Sequence, residues 1–386
     1  MKTTIFICCI ILLSACSQES GESDGKAIKG IQKIDISGEL YDNNYLGVIE
    51  IKNIIPLEYS TQSLVGSIDK IITYKDYIFI LDSEETKSVF CFVNDGTFQF
   101  KINAIGKGPG EFTKPFDFDI NIFNHQIEIL DSYQRKIVVY DMVGNFLDEI
   151  KLDRQVMSFC SINQSSYLLH LDGRDFMDKG KTNLYQVWDK SKGILHSNVF
   201  DYGSTDAESI PNEYTRFDKS IHFVHAWTDT IYSCNTDGIL PIYTIDFGGS
   251  RANDELKKLD LMGMMNYFKT NGLRVHSGNL CETDDLIAIS WLHQDNAGDA
   301  QHYTTYYDKN TQKTFTVSQR KNWEDSVMTL GPLTTMGNDF IGILEGNVSL
   351  LREFFPEGKS LQLNYDYDID RNPVLVQYEL KDAVLD

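Results

Sequence analysis

Short runs of apolar residues, many alternating with polar ones, fill this chain. They are rich in β-branched and aromatic side chains, the pattern of strands packed on one or both faces. Tight-turn signals punctuate them at Asn94-Asp95-Gly96, Val143-Gly144-Asn145, Ser191-Lys192-Gly193 and Thr236-Asp237-Gly238. Asp95, Val143, Lys192 and Asp237 are 48, 49 and 45 residues apart. Several strands per period of roughly 40–50 residues predict an all-β fold, a β-propeller of four-stranded antiparallel blades.

Six blades can be laid along the chain. The first takes Ser67–Tyr74, Tyr77–Asp82, Ser88–Val93 and Phe98–Ile102, and the second Phe116–Ile122, Gln126–Asp131, Lys136–Asp141 and Phe146–Leu152. Phe79-Ile80-Leu81-Asp82 and Glu128-Ile129-Leu130-Asp131 are the same element repeated. The third takes Val156–Ile162, Tyr167–Asp172, Asn183–Asp189 and Ile194–Phe200. The fourth has a faint start, then Ile221–Ala226, Asp229–Cys234 and Leu240–Phe247. The fifth runs from Val275 to Ser318 and the sixth from Met328 to Leu380. An open sheet edge is a pairing hazard, so the strand-like run Tyr45–Leu57 is expected to pair with the last blade and close the ring. Asn253–Asn271 has helical spacing of its apolar residues and Gly272 at its end, which predicts a short helical insert between blades four and five.

The first residues read differently. Lys2 precedes an apolar run from Ile5 to Leu13, far shorter than the ~20 residues a spanning helix needs. The run ends in Leu13-Ser14-Ala15-Cys16, which resembles the bacterial lipobox. That resemblance implies a lipoprotein signal peptide over 1–15, lipidation of Cys16, a flexible polar tether over 16–44 and the propeller over 45–386. The expected address is the outer membrane, facing the periplasm or the cell surface, with membrane lipid as a partner through the acyl anchor. Net charge is −21, which excludes nucleic acid as a partner. Cys91, Cys160, Cys234 and Cys281 show no metal-ligand spacing and are expected as buried free thiols.

Between the first two blades lies Ile105-Gly106-Lys107-Gly108-Pro109-Gly110-Glu111-Phe112, and near the end Asp370-Arg371-Asn372-Pro373-Val374-Leu375-Val376. With the lipobox, these resemble the bacterial six-bladed β-propeller lipoproteins, a pattern similar to NHL-repeat propellers. The resemblance spans the chain after the signal and implies fold and address rather than activity. The physics of the loop stands beside it. Gly106, Gly108 and Gly110 permit close backbone approach, Pro109 stiffens the turn, and Glu111 is expected to cap nearby amides. No helix follows, so the glycines do not form a phosphate loop.

In this layout long connections gather on one face of the ring, where a ligand is expected. The candidates there are Arg135, Arg174, Asp175, Arg216, Trp227, His293 and Asp295, with arginine and tryptophan suited to anchoring glycans or peptides. His222 and His225 are three apart on a strand and point to opposite faces. Asp366, Asp368 and Asp370 lack the glycine and distal glutamate of a calcium loop. No metal, cofactor or catalytic residue is assigned. The expected function is binding of a glycan, a peptide or a partner protein. Two alternatives stay open: a hydrolase or lyase with a metal or carboxylate/His site at the central channel, and a structural subunit of an envelope assembly.

Overall fold

A computed structural model describes residues 31–38, 45–171, 182–200, 214–217, 219–225, 228–248, 262–263, 266–267, 270, 273–294, 300–318, 331–344 and 372–381. Near the start lie β1 (Gln32–Asp35), a four-residue helix (Tyr45–Val48) and β2 (Ile49–Pro56). Blade one is β3 (Lys70–Tyr74), β4 (Tyr77–Asp82), β5 (Ser88–Val93) and β6 (Phe98–Ile102). Blade two is β7 (Asp117–Asn121), β8 (Gln126–Asp131), β9 (Lys136–Tyr140) and β10 (Phe146–Lys151). Blade three is β11 (Val156–Ser161), β12 (Ser166–Leu171), β13 (Thr182–Asp189) and β14 (Gly193–Phe200). Blade four is β15 (Tyr214–Phe217), β16 (Ser220–Val224), β17 (Thr230–Asn235) and β18 (Gly238–Asp246). Blade five is β19 (Leu273–Glu282), β20 (Leu286–Gln294), β21 (Ala300–Asp308) and β22 (Thr314–Ser318), and blade six holds β23 (Thr334–Met336), β24 (Asp339–Leu344) and β25 (Val374–Leu380).

Strands follow chain order within every blade, and first strands contact the first strands of neighbouring blades. The six-bladed propeller is thus a ring with β3, β7, β11, β15, β19 and β23 innermost. Blade six is completed by β2, which pairs antiparallel with β25 from Ile49 opposite Leu380 to Pro56 opposite Val374. The ring therefore closes through the N-terminal run, as its strand pattern predicts. Gly96 (φ +90°) packs against the end of this strand; a Cβ there would sit 2.1 Å from the Pro56 carbonyl oxygen.

Six clusters of buried apolar residues fill the six wedges between adjacent blades. Both faces of each blade are covered, so β5 and β9 read as near-continuous apolar runs, Ser88–Val93 and Lys136–Tyr140, rather than as alternating ones. The four cysteines named above are free and buried; burial pushes the Cys91, Cys234 and Cys281 thiols up to about 12.

Three features depart from the sequence reading or add to it. Gln32–Asp35, read as part of a tether over 16–44, forms a strand, because Ile34 is fully buried between blades four and five. This strand adds to blade four as a fifth, parallel to β18 from Gln32 opposite Tyr243 to Asp35 opposite Asp246. The faint first strand of blade four is Tyr214–Phe217. The insert over Asn253–Asn271 lies mostly outside the described residues; Met262, Gly263, Asn266, Tyr267 and Thr270 within it are helical.

Repeated aspartates tie the turns together. Asp82 accepts hydrogen bonds from the Gly66, Ser67, Glu85 and Thr86 amides, linking a turn of blade one to the loop entering that blade. Asp131, its counterpart in blade two, accepts from the Thr113 and Gln134 amides. Burial works against both carboxylates, but these donors outweigh it and hold both below the ordinary aspartate value. A depressed carboxylate stabilises the fold above its unfolded pKa and loses that contribution as pH falls. The urea midpoint is therefore expected to fall below about pH 4, with a shallower acid slope in Asp131→Asn. An equal slope in the variant would remove Asp131 from the acid response.

The Gly-Pro-Gly-Glu loop closes on itself. Gly108 N donates to Glu111 Oε2 at 2.8 Å, and a Cβ at Gly106 would lie 1.9 Å from that oxygen. Gly110 adopts φ +75°; its amide donates to Glu149 and its carbonyl accepts from the Tyr140 hydroxyl. Asn372 does similar work at the closure: its side chain accepts from Val65 N and donates to the Glu58 and Ser63 carbonyls.

Candidate functional site

The innermost strands enclose a cavity of about 190 Å3 on the propeller axis. Every blade contributes to its wall, including Lys70 and Thr73 from β3, Asp119 from β7, Cys160 from β11, Tyr214 and Arg216 from β15, Cys281 from β19, and Thr334 from β23. Charged residues sit here because an innermost strand has one edge with no further strand beside it, so polar side chains can meet across the axis.

The charges form a chain around the ring. Lys70 Nζ donates to Asp117 Oδ1 at 2.7 Å and to the Phe118 carbonyl at 2.9 Å. Asp117 Oδ2 accepts from Phe159 N in blade three. Asp119 Oδ2 accepts from Ser161 N at 2.7 Å, Ser161 Oγ at 2.6 Å and Arg216 Nη2 at 2.6 Å. Blades one to four are thus stitched by Lys70, Asp117, Asp119 and Arg216, with the Phe159 and Ser161 amides and the Ser161 hydroxyl of blade three between the carboxylates and the arginine. Burial disfavours the Lys70 ammonium, yet Asp117 and Asp119 outweigh it and raise its pKa above the ordinary lysine value.

Beside this chain stands Glu128 on β8, opposite Asp119. Its Oε1 accepts from Asn121 Nδ2 and from the Tyr167 hydroxyl, both at 3.0 Å, while its Oε2 is buried without a partner. Burial, then the negative charge of Asp119, pushes this carboxyl up to about 7. Farther around, His222 Nδ1 and Lys309 Nζ both meet Glu282, with Lys309 over the Phe217 ring. His225 turns the other way, to the Tyr185 hydroxyl at 3.1 Å. Its ring lies 5.6 Å from that of His170. Burial, with His225 nearby, lowers His276 to about 3. Among the described residues no group of three or more His, Cys, Asp or Glu is placed to hold a metal ion.

Of the residues singled out by sequence, Arg216 lies in this cavity, on an innermost strand rather than a loop. Arg135 is exposed in the turn after β8, with φ 52°, and His293 is half-buried on β20; neither lines the cavity. Arg174, Asp175, Trp227 and Asp295 lie outside the described residues, as do Asp366, Asp368 and Asp370. Sequence reasoning missed Lys70, Asp117, Asp119 and Glu128. Their signal was present: Phe116-Asp117-Phe118-Asp119 sets carboxylates at alternate positions of a strand otherwise buried throughout.

The family described as "Domain of unknown function (DUF4934)" matches residues 34–379. No curated protein matches. Among solved structures, a Bacteroides fragilis protein described as a "Putative exported protein" is 20% identical, with a TM-score of 0.71 over 91% of this chain and 100% of its own. A member of the DUF4221 family from Bacteroides vulgatus is 10% identical, with a TM-score of 0.52 over 86% of this chain and 98% of its own. Both carry the fold and nothing about a ligand. No helix among the described residues is long and apolar enough to cross a membrane.

Proposed function

The chain belongs to the DUF4934 family of domains of unknown function, and on that footing we propose that it is an exported binding lipoprotein. In this reading Cys16 carries the acyl anchor in the outer membrane, and the propeller receives one terminal unit of a glycan or peptide in its central cavity. The lipobox-like Leu13–Cys16 supports the anchor, and the description of the Bacteroides fragilis relative supports export. The observation that carries the binding site is Arg216: it stands on an innermost strand, yet a quarter of its side chain (25%) is accessible. That surface is cavity wall. At ~30 Å3 per water, the cavity suits a single sugar or amino-acid unit rather than a folded domain.

Two measurements test this. Metabolic labelling with an alkynyl fatty acid is expected to mark the wild-type chain and leave Cys16→Ser unlabelled; equal labelling of both removes the anchor. A thermal-shift screen of glycan and peptide fragments should raise the melting temperature, because a ligand at about a hundredfold over its Kd adds about 2.7 kcal/mol to the folded state. The shift is expected to vanish in Thr334→Trp, which fills the cavity. A shift that survives that substitution places binding elsewhere.

A further inference from the structure

We infer that the ligand group seated at Arg216 is a carboxylate, and that its arrival loads a proton onto Glu128. This rests on the central cavity being the binding site. It follows from which hydrogen bonds the wall has already spent. An arginine offers five N–H donors and a lysine three. Arg216 uses three, to the Ser161 carbonyl, Asp119 Oδ2 and Ser161 Oγ. Lys70 uses two, to Asp117 Oδ1 and the Phe118 carbonyl. Asp119 Oδ2 meanwhile accepts from three donors.

The cavity is thus nearly balanced in charge but unbalanced in hydrogen bonding. Asp119 is shielded, with 5% of its side chain accessible, whereas Arg216 presents 25%. What a ligand meets is spare cationic donors. A planar guanidinium with free N–H groups matches a carboxylate better than a hydroxyl or an amide, because the acceptor then also carries the opposite charge.

Glu128 supplies the second half. Around it stand Asp119, its cross-strand partner, and Asn121 on β7, Tyr167 on β12 and, bonded to Asp119, Arg216 on β15. Arg216 is its sole cationic support among these. A ligand carboxylate on Arg216 neutralises that support and adds a negative charge, so the buried Glu128 anion takes a proton from solvent. The balance is one carboxylate bound and one proton taken up, and no covalent bond changes. With Glu128 free to titrate near 7, binding is stronger on the acid side. Affinity falls as pH rises above that point, at most about tenfold per pH unit for one proton.

Isothermal titration of the whole folded chain tests this with four probes: N-acetylalanine and glucuronate as carboxylates from a peptide end and an acidic sugar, and N-acetylalaninamide and glucose as their neutral counterparts. At least one carboxylate is expected to bind at pH 6 and to weaken several-fold by pH 8.5, with proton uptake seen as a buffer-dependent heat. Which arm binds identifies the source. Glu128→Gln keeps the Oε1 acceptor and mimics the protonated form, so its affinity should stay near the acid value at both pH values. Neutral probes binding as tightly, a wild-type affinity flat with pH, or failure of all four probes overturns the inference. A library fragment that binds and is lost in Thr334→Trp would, in those cases, leave the cavity standing as a binding site. Carboxylate binding that Thr334→Trp leaves intact overturns both.

Discussion

A chain starting at residue 58 is expected not to form the ring. It lacks β2, and with it Ile49, Ile54, Ile55 and Leu57, all buried in the two wedges flanking blade six. At about 1.5–3 kcal/mol per buried aliphatic side chain, the loss is roughly 6–12 kcal/mol. That equals the whole stability of a typical folded domain, about 5–15 kcal/mol. The deletion also bares Val374–Leu380, an apolar strand whose edge would template pairing between chains. Size-exclusion chromatography should show aggregates, and circular dichroism should show no cooperative melt. A monomer that melts sharply would mean that the ring closes without its N-terminal strand.

Lys70→Met is expected to be the most damaging single substitution among those considered. Lys70 and Asp117 are 9% and 7% accessible and lie 2.7 Å apart. Removing the cation leaves the Asp117 carboxyl, already pushed up by burial, without its partner between blades one, two and three, its backbone donors still in place. Breaking one side of a buried pair costs about 3–5 kcal/mol. The exposed Lys33–Asp246 pair is the control: exposed pairs contribute little, so Lys33→Met should leave the urea midpoint unchanged. If the two variants behave alike, the axial pair contributes no more than a surface one.

Legibility in the sequence followed how locally each feature is determined. Tyr77–Asp82, Ser88–Val93, Phe98–Ile102 and Gln126–Asp131 match their strands at both ends, because turn chemistry and an apolar run bound them. Tyr214–Phe217 escaped because all four of its residues are half-buried; an innermost strand that lends an arginine to the axis has no apolar run to show. Gln32–Asp35 escaped for a similar reason, since Ile34 alone is buried. The site was harder still. Lys70, Asp119 and Arg216 belong to three blades and converge only when the ring closes. The long connections after Leu171 and Phe200 lie outside the described residues, while the central cavity is lined chiefly by strand residues.

The extra strand on blade four has a mechanical consequence. Residues 32–38 are fastened twice over: β1 lies along β18, and Arg274 of blade five holds the Ile36 and Gly38 carbonyls. Any pull delivered along the preceding chain is therefore taken up by β18 at the outer rim of blade four and by Arg274 of blade five. The seam at blade six lies downstream of that fastening and is spared the load, as a cable clamp spares the joint behind it.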